Sequence, residues 1–319
     1  MRFYSVIVPV YNRPHEVDEL LNSLTQQTFK NFEVLIIEDG STNKCEAIVQ
    51  KYIDQLNIQY FFKENTGQGF SRNYGFERAK GDFFIVFDSD CLIPPHYFEN
   101  ADKSLDEQPL DAFGGPDKAH PSFTNVQKAI SYSMTSPFTT GGIRGNKNHV
   151  GTFHPRSFNM GISKEVFEKT KGYIITRMGE DIEFSIRING EGFNSGLIPE
   201  AFVYHKRRTS FIQFYKQLHF FGRARINISR FYPKELKLVH TFPALFTLGL
   251  LVMPITYLID IKLTLVGLLV YALFAVLNFL AATVQHRSPI VGFLGMIASF
   301  TQLVAYGVGF LTELIQVKK

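Results

Sequence analysis

The first ninety residues alternate between short apolar runs and segments with helical spacing. The runs are rich in β-branched and aromatic residues, as buried strands are, and they occupy residues 4–10, 32–37, 58–62 and 83–87. Helices are predicted between them, first at the helical spacing of Val17, Leu20, Leu21 and Leu24, then over residues 44–56 and 67–77. Strands that alternate with helices form right-handed crossovers, so the pattern predicts an α/β fold with a mostly parallel sheet.

Polar and turn residues collect where three of these predicted strands end. Pro9 to Tyr11 closes the first strand, Asp39 follows the second, and Asp88 and Asp90 follow the fourth. Ligands of open parallel sheets bind in the crevice outside the carboxyl ends of the strands. The sequence therefore predicts one binding site at this edge of the sheet.

The triplet Asp88-Ser89-Asp90 is the most informative of these strand ends. Alternate residues of an extended segment point the same way, so both carboxylates can face one site. Hard divalent cations prefer oxygen ligands and bridge readily to phosphates. The triplet is thus a plausible site for a metal ion and a diphosphate, although a turn-capping role is the alternative for so short a motif.

Four segments together resemble the nucleotide-sugar half of glycosyltransferase family 2. They are Val8-Pro-Val-Tyr-Asn12, Glu38-Asp-Gly-Ser41, Asn65-x-Gly with Arg72-Asn-x-Gly75, and Asp88-Ser-Asp90. The resemblance covers roughly residues 3–210, and the motifs occur in the order and spacing of the family. It implies the GT-A fold, a Rossmann-like and mostly parallel sheet with flanking helices.

The resemblance also implies a role for individual residues in binding a nucleoside diphosphate sugar. The implied donor-binding residues are Pro9, Tyr11, Asp39, Arg72, Asp88 and Ser89. Asp39 would accept a hydrogen bond from the base, beside the turn from Pro9 to Tyr11, and Arg72 would lie near the diphosphate while Asp88 approaches the ribose. Asp39 as a simple turn residue and Arg72 as a surface helix charge are the open alternatives.

The metal ion implied by the resemblance is Mg²⁺ or Mn²⁺, with Asp90 as its main ligand and Asp88 beside it. His205 ends a further predicted strand, and an imidazole can complete a cation site made by carboxylates. A hydrogen-bonded structural histidine is the alternative. Arg207 and Arg208 follow directly, and they could bind either a diphosphate or lipid phosphates.

Glu180 and Asp181 form a second acidic site at the start of a predicted helix. A carboxylate is stabilised at a helix amino end, so a capping role is one interpretation of Asp181. Inverting sugar transfer needs a base that takes the proton of the acceptor hydroxyl. In the family, the Asp of such a Glu-Asp pair is that base, so the resemblance implies that Asp181 is catalytic and that Glu180 orients it or the donor sugar.

A long, glycine-rich connection over residues 136–158 precedes this second site. Connections of this length inside a domain are usually functional, and in the family the matching region faces the acceptor. Within it, residues 145–149 are predicted either as a mobile lid or as a surface loop.

The carboxyl-terminal third of the chain predicts a membrane anchor. Residues 211–232 alternate aromatic and basic side chains, as amphipathic helices at a membrane interface do. Three apolar stretches follow, at about 242–259, 263–283 and 290–314, each near the length that crosses a bilayer. The predicted division is a GT-A domain (1–208), interface helices (209–235) and a transmembrane region (236–319). A buried soluble bundle, or two or four crossings, are the alternatives.

Charge and composition restrict the cellular setting. Lys and Arg concentrate before residue 242, which favours a multi-pass protein of the inner membrane with its catalytic domain in the cytoplasm. The two cysteines, Cys45 and Cys91, suit a reducing compartment. A net charge of +4 without a basic stripe argues against nucleic acid as a partner. The chain has no Trp, which weakens the resemblance to processive polymer synthases.

Two classes of function are consistent with these features. The first is a membrane-bound inverting glycosyltransferase that moves a sugar from a nucleoside diphosphate sugar, with uridine favoured, to a lipid-linked (polyprenyl) glycan. Transfer to polyprenyl phosphate itself is the second choice within this class. The other class is a membrane-anchored nucleotide-sugar binder without catalysis. The joint presence of Asp39, Asp88, Asp90 and Asp181 favours the enzyme, because a binder has no need of a base.

Overall fold

The four predicted strands form one side of a seven-stranded sheet in the computed structural model, which describes residues 1–140 and 153–316. The strands are β1 (Tyr4–Val10), β2 (Phe32–Asp39), β3 (Ile58–Lys63), β4 (Phe83–Phe87), β5 (Cys91–Leu92), β6 (Ala112–Gly114), β7 (Asp117–Lys118), β8 (Asn159–Ser163), β9 (Ser195–Leu197) and β10 (Val203–His205). The sheet order is β3-β2-β1-β4-β8-β6-β9, with β3 to β4 parallel and β8 antiparallel to both of its neighbours. The predicted α/β architecture is thus confirmed.

The helices alternate with the first strands as predicted and then dominate the carboxyl-terminal part of the chain. They are α1 (Pro14–Thr25), α2 (Glu46–Val49), α3 (Gln68–Phe76), α4 (Tyr97–Glu107), α5 (Asn125–Thr135), α6 (Pro137–Thr140), α7 (Lys164–Thr170), α8 (Glu180–Gly190), α9 (Phe211–Phe231), α10 (Phe242–Ile259), α11 (Ile261–His286) and α12 (Pro289–Gln316). The chain divides into two units. The first comprises Met1–His120 and the described part of Lys147–Lys206; the second comprises the described parts of Pro121–Asn146 and Arg207–Lys319.

The burial of strand β4 on both faces explains why its sequence does not alternate between apolar and polar residues. Its five residues are all buried. Phe83, Ile85 and Phe87 belong to the larger apolar cluster, whereas Phe84 and Val86 belong to the smaller one. Because successive side chains point to opposite faces, a strand covered on both sides must be apolar at every position. The strand therefore ends at the first position where charge is tolerated, which is Asp88.

The helix predicted over residues 44–56 is wrong in length. The structure has only α2, followed by one tighter 3₁₀ turn over Gln50–Tyr52. This turn brings Tyr52 against α1, where its hydroxyl donates to a carboxylate oxygen of Asp18 at 2.8 Å. The tertiary hydrogen bond thus outweighs the local preference to continue the helix.

A second, three-stranded sheet brings the end of β10 to the acidic triplet. Its order is β5-β10-β7, and β5 begins directly after Asp90. The antiparallel register places His205 opposite Cys91. The Lys206 amide also donates to the Asp90 carbonyl oxygen at 2.9 Å. Two segments that lie more than 100 residues apart in sequence are thereby fixed side by side.

The second unit is built around α12, against which α5, α9, α10 and α11 pack. The predicted helix over 211–232 is confirmed as α9, whose apolar face includes Phe214, Leu218 and Ile226. Gly222 of α9 and Gly309 of α12 lie where the two backbones meet. A Cβ atom at Gly222 would be 2.1 Å from the Tyr306 carbonyl oxygen, so only glycine permits this approach.

An ion triad joins the carboxyl-terminal half of α9 to the last turn of α12. The buried Glu313 carboxylate accepts hydrogen bonds from Arg223 Nε at 2.8 Å and from Arg230 Nη2 at 2.7 Å. Two of the basic residues that the sequence assigned to a membrane interface are therefore engaged in helix packing.

Within residues 1–140 and 153–316, three helices of this unit are long and apolar enough to cross a membrane. They are Leu238–Ile259, Ile261–His286 and Pro289–Gln316, in agreement with the three apolar stretches of the sequence. Their length and composition are what identify them.

Candidate active site

Asp39 is the last residue of β2, and its carboxylate is buried beneath the segment that follows β3. It accepts hydrogen bonds from the Thr66 and Gly67 amides, each at 2.9 Å, and forms an ion pair with Lys63. Burial would raise the pKa of Asp39, but the hydrogen bonds from Lys63 and Thr66 hold it below its ordinary value. Asp39 is thus an ionised residue that holds the segment leading into α3. This is more than the role of a simple turn residue.

The turns after β1 and β2 are joined through Asn12. The Asn12 amide donates to Ser41 Oγ at 2.8 Å, and the Asn12 side-chain oxygen accepts from the Asn43 amide at 2.9 Å. Asn12 has a positive φ of 55°, which Asn tolerates better than most residues. The preceding Tyr11 is 52% exposed, so a large aromatic face is presented beside the strand ends.

Arg72 connects the acidic triplet to the second acidic site. Its Nη2 atom donates to Asp88 Oδ1 at 2.9 Å, and its Nη1 atom lies 3.7 Å from Glu180 Oε1. The side chain is 1% exposed, so its interpretation as a surface charge is wrong. Burial alone would lower the pKa of Arg72, but the surrounding acidic groups, Tyr173, Asp88 and Glu180, keep it raised. The guanidinium is therefore a permanent positive charge between two carboxylates.

Asp90 lies between a histidine and an arginine. Its Oδ1 atom is 3.1 Å from His205 Nε2, and its Oδ2 atom is 3.1 Å from Arg13 Nη1. The His205 ring also stacks on Phe158, with centroids 4.9 Å apart. The predicted proximity of Asp90 and His205 is thus observed. Arg13 was not singled out from the sequence, because a basic residue in a turn carries no signal of its partner.

The donor atoms at Asp90 fit a hard divalent cation. A carboxylate oxygen and an imidazole nitrogen 3.1 Å apart match neighbouring ligands on an ion that binds each at about 2.1 Å. Cys91 completes a group of three possible ligands within 4.8 Å, although its thiol is buried and donates to the Phe158 carbonyl oxygen at 3.5 Å. Asp88, the other predicted ligand, lies outside this group and pairs with Arg72.

Glu180 and Asp181 project from a turn with unusual backbone geometry. Met178 and Gly179 both have positive φ, at 60° and 100°, and Gly179 occupies the N-cap position of α8. Asp181 is consequently the second residue of the helix, so its carboxylate is not the cap. Gln68 at the start of α3 donates a hydrogen bond to Glu180. The turn thus sends Glu180 toward Arg72.

Asp181 is paired with Arg156, which the sequence did not indicate as a site residue. Arg156 Nη1 lies 3.3 Å from Asp181 Oδ2, and both side chains are about one-quarter exposed. Arg156 belongs to the connection that was expected to face the acceptor. The lid predicted at 145–149 lies outside the described residues. Arg207 is buried in the second unit, where its carbonyl oxygen accepts a hydrogen bond from Gln127 at 3.1 Å.

The ionisation of Glu180 makes a prediction about stability. Burial raises the pKa of Glu180 above its ordinary value of 4.5, and the Asp181 carboxylate raises it further, against the opposing effects of Arg72 and Gln68. The folded protein then binds this proton more tightly than the unfolded chain. The resulting stabilisation is complete below the ordinary pKa and is lost as pH rises through the raised value.

Glu180→Gln should therefore gain stability relative to the wild type as pH rises, because glutamine does not titrate. The expected gain is about 1.4 kcal/mol for each unit by which the pKa is raised. Denaturant unfolding of both proteins between pH 4 and pH 8 measures the difference. A difference that is constant with pH would contradict the raised pKa.

Solved structures with the same architecture come from sugar-transferring enzymes. A mannosyltransferase from Pyrobaculum calidifontis, solved with GDP-mannose and Mn²⁺, superposes with a TM-score of 0.64 at 15% identity and covers 99% of this chain and 88% of its own. TarS from Staphylococcus aureus, solved with UDP, superposes with a TM-score of 0.52 at 20% identity, covering 99% and 92%. The fold is thus GT-A.

Sequence similarity places the chain in a family. A family model for glycosyl transferase family 2 matches residues 5–170, which is more than half of the chain. An uncharacterised glycosyltransferase of Haemophilus influenzae is 32% identical over 218 residues, which span 65% of this chain and 70% of that protein. The chain belongs to glycosyl transferase family 2.

Other relatives match over shorter segments. An uncharacterised glycosyltransferase of Rickettsia typhi is 41% identical over 96 residues, or 30% of each chain. TarS of Staphylococcus aureus, a poly(ribitol-phosphate) β-N-acetylglucosaminyltransferase, is 38% identical over 115 residues, which span 35% of this chain and 20% of TarS. The chain therefore spans less than a third of the length of these relatives.

Proposed function

We propose that the chain is a membrane-bound, inverting glycosyltransferase. It takes a sugar from a nucleoside diphosphate sugar and transfers it to a hydroxyl of a lipid-linked glycan. The observation that carries the proposal is the position of Arg72, which contacts both Asp88 of the donor triplet and Glu180 of the second acidic site. One buried side chain thus links the residues proposed for donor binding to the acidic pair proposed for proton transfer.

The donor is proposed to lie along the carboxyl ends of β1, β2 and β4. Tyr11 supplies an exposed aromatic face for the base, with Pro9 in the same turn, and Asp39 supplies an ionised carboxylate. Asp88 and Ser89 are placed at the ribose. UDP-sugars are favoured as donors, and this agrees with TarS, whose structure was also solved with UDP-GlcNAc.

Arg72 is proposed to act near the diphosphate. Its Nε and Nη1 atoms have no hydrogen-bond acceptor within residues 1–140 and 153–316. A buried guanidinium N–H without an acceptor is costly, and a phosphate oxygen is the acceptor that best matches its geometry.

Asp90 and His205 are proposed to hold Mg²⁺ or Mn²⁺, with Asp88 close by. When bound, such an ion neutralises charge on the diphosphate leaving group. The Mn²⁺ in the mannosyltransferase of Pyrobaculum calidifontis supports this assignment.

Asp181 is proposed to remove the proton of the acceptor hydroxyl. Its carboxylate is partly exposed, whereas Glu180 is buried and held by Gln68. The exposed carboxylate can reach an incoming hydroxyl, and the buried one is suited to fix the helix start. Attack by that hydroxyl on the face opposite the diphosphate gives inversion.

The membrane assignment completes the proposal. Residues 1–208 would act as the catalytic domain in the cytoplasm, residues 209–235 would lie at the interface, and residues 236–319 would anchor the protein in the inner membrane with three crossings. The three long apolar helices support it, because their exposed faces are rich in Leu, Ile and Val.

A donor screen followed by a transfer assay tests the function. The purified full chain is melted with Mn²⁺ and a panel of nucleoside diphosphate sugars, since a ligand that binds the folded state raises the melting temperature. The preferred donor is then incubated with undecaprenyl diphosphate glycans, with undecaprenyl phosphate as the alternative acceptor. Proton NMR of the product reports the anomeric configuration. If the donor binds but is neither transferred nor hydrolysed, the protein is a nucleotide-sugar binder without catalysis.

A further inference from the structure

Arg13 contacts the proposed metal ligand Asp90, and the proposed reaction assigns it no role. It is the residue before α1, and its Nη1 atom lies 3.1 Å from Asp90 Oδ2 and 2.9 Å from Glu16 Oε2. The guanidinium thus bridges the acidic triplet and the first turn of the helix. Burial would lower the pKa of Arg13, but Asp90 and Glu16 raise it above its ordinary value.

The two oxygens of Asp90 consequently have different neighbours. Oδ2 faces Arg13, while Oδ1 faces His205 Nε2 at 3.1 Å. A carboxylate that is free to rotate presents either oxygen or both to a cation. A carboxylate that Arg13 holds at Oδ2 presents Oδ1 to the cation, on the side where the imidazole nitrogen lies.

The backbone around Arg13 is fixed from both sides. Asn12 is held by its hydrogen bonds to Ser41 and Asn43, at 2.8 and 2.9 Å. Pro14 opens α1, and its fixed φ suits the first turn of a helix. Glu16, one turn into the helix, holds the guanidinium itself. Arg13 thus reaches Asp90 from a segment that is held by hydrogen bonds on one side and by the start of α1 on the other.

We propose that Arg13 is the positioning residue of the cation site. It holds Asp90 so that Oδ1 and His205 Nε2 act together as ligands. This inference rests on the metal assignment of the proposed function. The alternative is that Arg13 occupies the place of the cation and competes with it. In that case, removing Arg13 would tighten metal binding.

Mn²⁺ binding to the full chain in detergent, followed by electron paramagnetic resonance with and without UDP, tests the proposal. Arg13→Gln removes the charge and the forked donor. The dissociation constant for Mn²⁺ should rise about 10-fold or more, the usual effect of losing a partner that orients a ligand. Arg13→Lys, which keeps a charged donor, should restore part of the loss. Unchanged or tighter binding in Arg13→Gln would overturn the proposal.

A matched pair of variants on α1 tests the same idea without touching Arg13. Glu16→Gln releases the outer hold on the guanidinium and should weaken Mn²⁺ binding in the same direction, by a smaller factor. Glu19→Gln is the control, because Glu19 lies one turn further along α1 and pairs with Lys206, whereas Glu16 pairs with Arg13. Equal effects of the two variants would overturn the proposal, even if Arg13→Gln fails to fold.

Asp90→Ala and His205→Ala separate this inference from the proposed function. If neither variant changes Mn²⁺ binding, the metal assignment is wrong and the inference falls with it. If both weaken binding while Arg13→Gln does not, the metal assignment stands and Arg13 alone has been misassigned.

Discussion

Asp90→Ala should remove the part of nucleoside diphosphate binding that depends on Mn²⁺. The cation would lose its carboxylate ligand, and His205 would be left as the single ligand of the proposed pair. Losing an outer partner of a metal ligand costs about 10- to 100-fold in affinity, so losing the ligand itself should cost at least about 100-fold. Isothermal titration of UDP with and without Mn²⁺ measures the effect.

Asp102→Ala provides a matched control for this experiment. Asp102 is another largely buried aspartate, with a side-chain exposure of 15% against 12% for Asp90. It also pairs with an arginine, Arg2, but it contacts Tyr4 at the opposite, amino end of β1. UDP binding that still responds to Mn²⁺ in Asp90→Ala would show that the ion is held elsewhere.

The edge of the sheet where the candidate site lies could be predicted from the sequence, because it depends on topology. Parallel strands place all their carboxyl ends at one edge, so Asp39, Asp88 and Asp90 could be predicted to share this edge before any distance was known. The pairing of Asp90 with His205 needed one further fact, the antiparallel contact between β5 and β10. That contact links residues far apart in the chain, and only the strand-end position of His205 hinted at it.

The partners of the acidic residues could not be predicted in the same way. These partners lie where the sequence pattern has no period. Arg13 is in a turn, Gln68 is at a helix start, and Arg156 is in an irregular connection. Each is identified by its contact with Asp90, Glu180 or Asp181 in the folded chain.

Arg72 shows that the polarity of a helical residue does not by itself predict its exposure. A charged residue on a helix is usually exposed, and the sequence left that alternative open. The structure buries it because two carboxylates, from the end of β4 and the start of α8, neutralise its charge from different directions. Burial of a charge is tolerated where such partners surround it, and the partners come from distant parts of the sequence.

Asp181→Asn should lower turnover by roughly two to four orders of magnitude, the usual range for the loss of a general base. Asparagine keeps the shape of the side chain and can still accept a hydrogen bond from Arg156, but it cannot take a proton from the acceptor hydroxyl near neutral pH. Asp39 and Asp90 are unchanged, so the dissociation constant for the donor should stay close to that of the wild type.

The informative experiment measures turnover and donor affinity on the same preparation, with melting temperatures matched to the wild type. Glu191→Gln serves as the control, because Glu191 follows the last turn of α8 and pairs with Lys169 on the surface. Near-normal turnover of Asp181→Asn would remove Asp181 from the mechanism. A large loss of donor affinity would make it a binding residue, and proton transfer would then have to be assigned to another group. Glu180 would be a poor substitute, because its carboxylate is buried against Gln68 and Arg72 and cannot meet an incoming hydroxyl without leaving both.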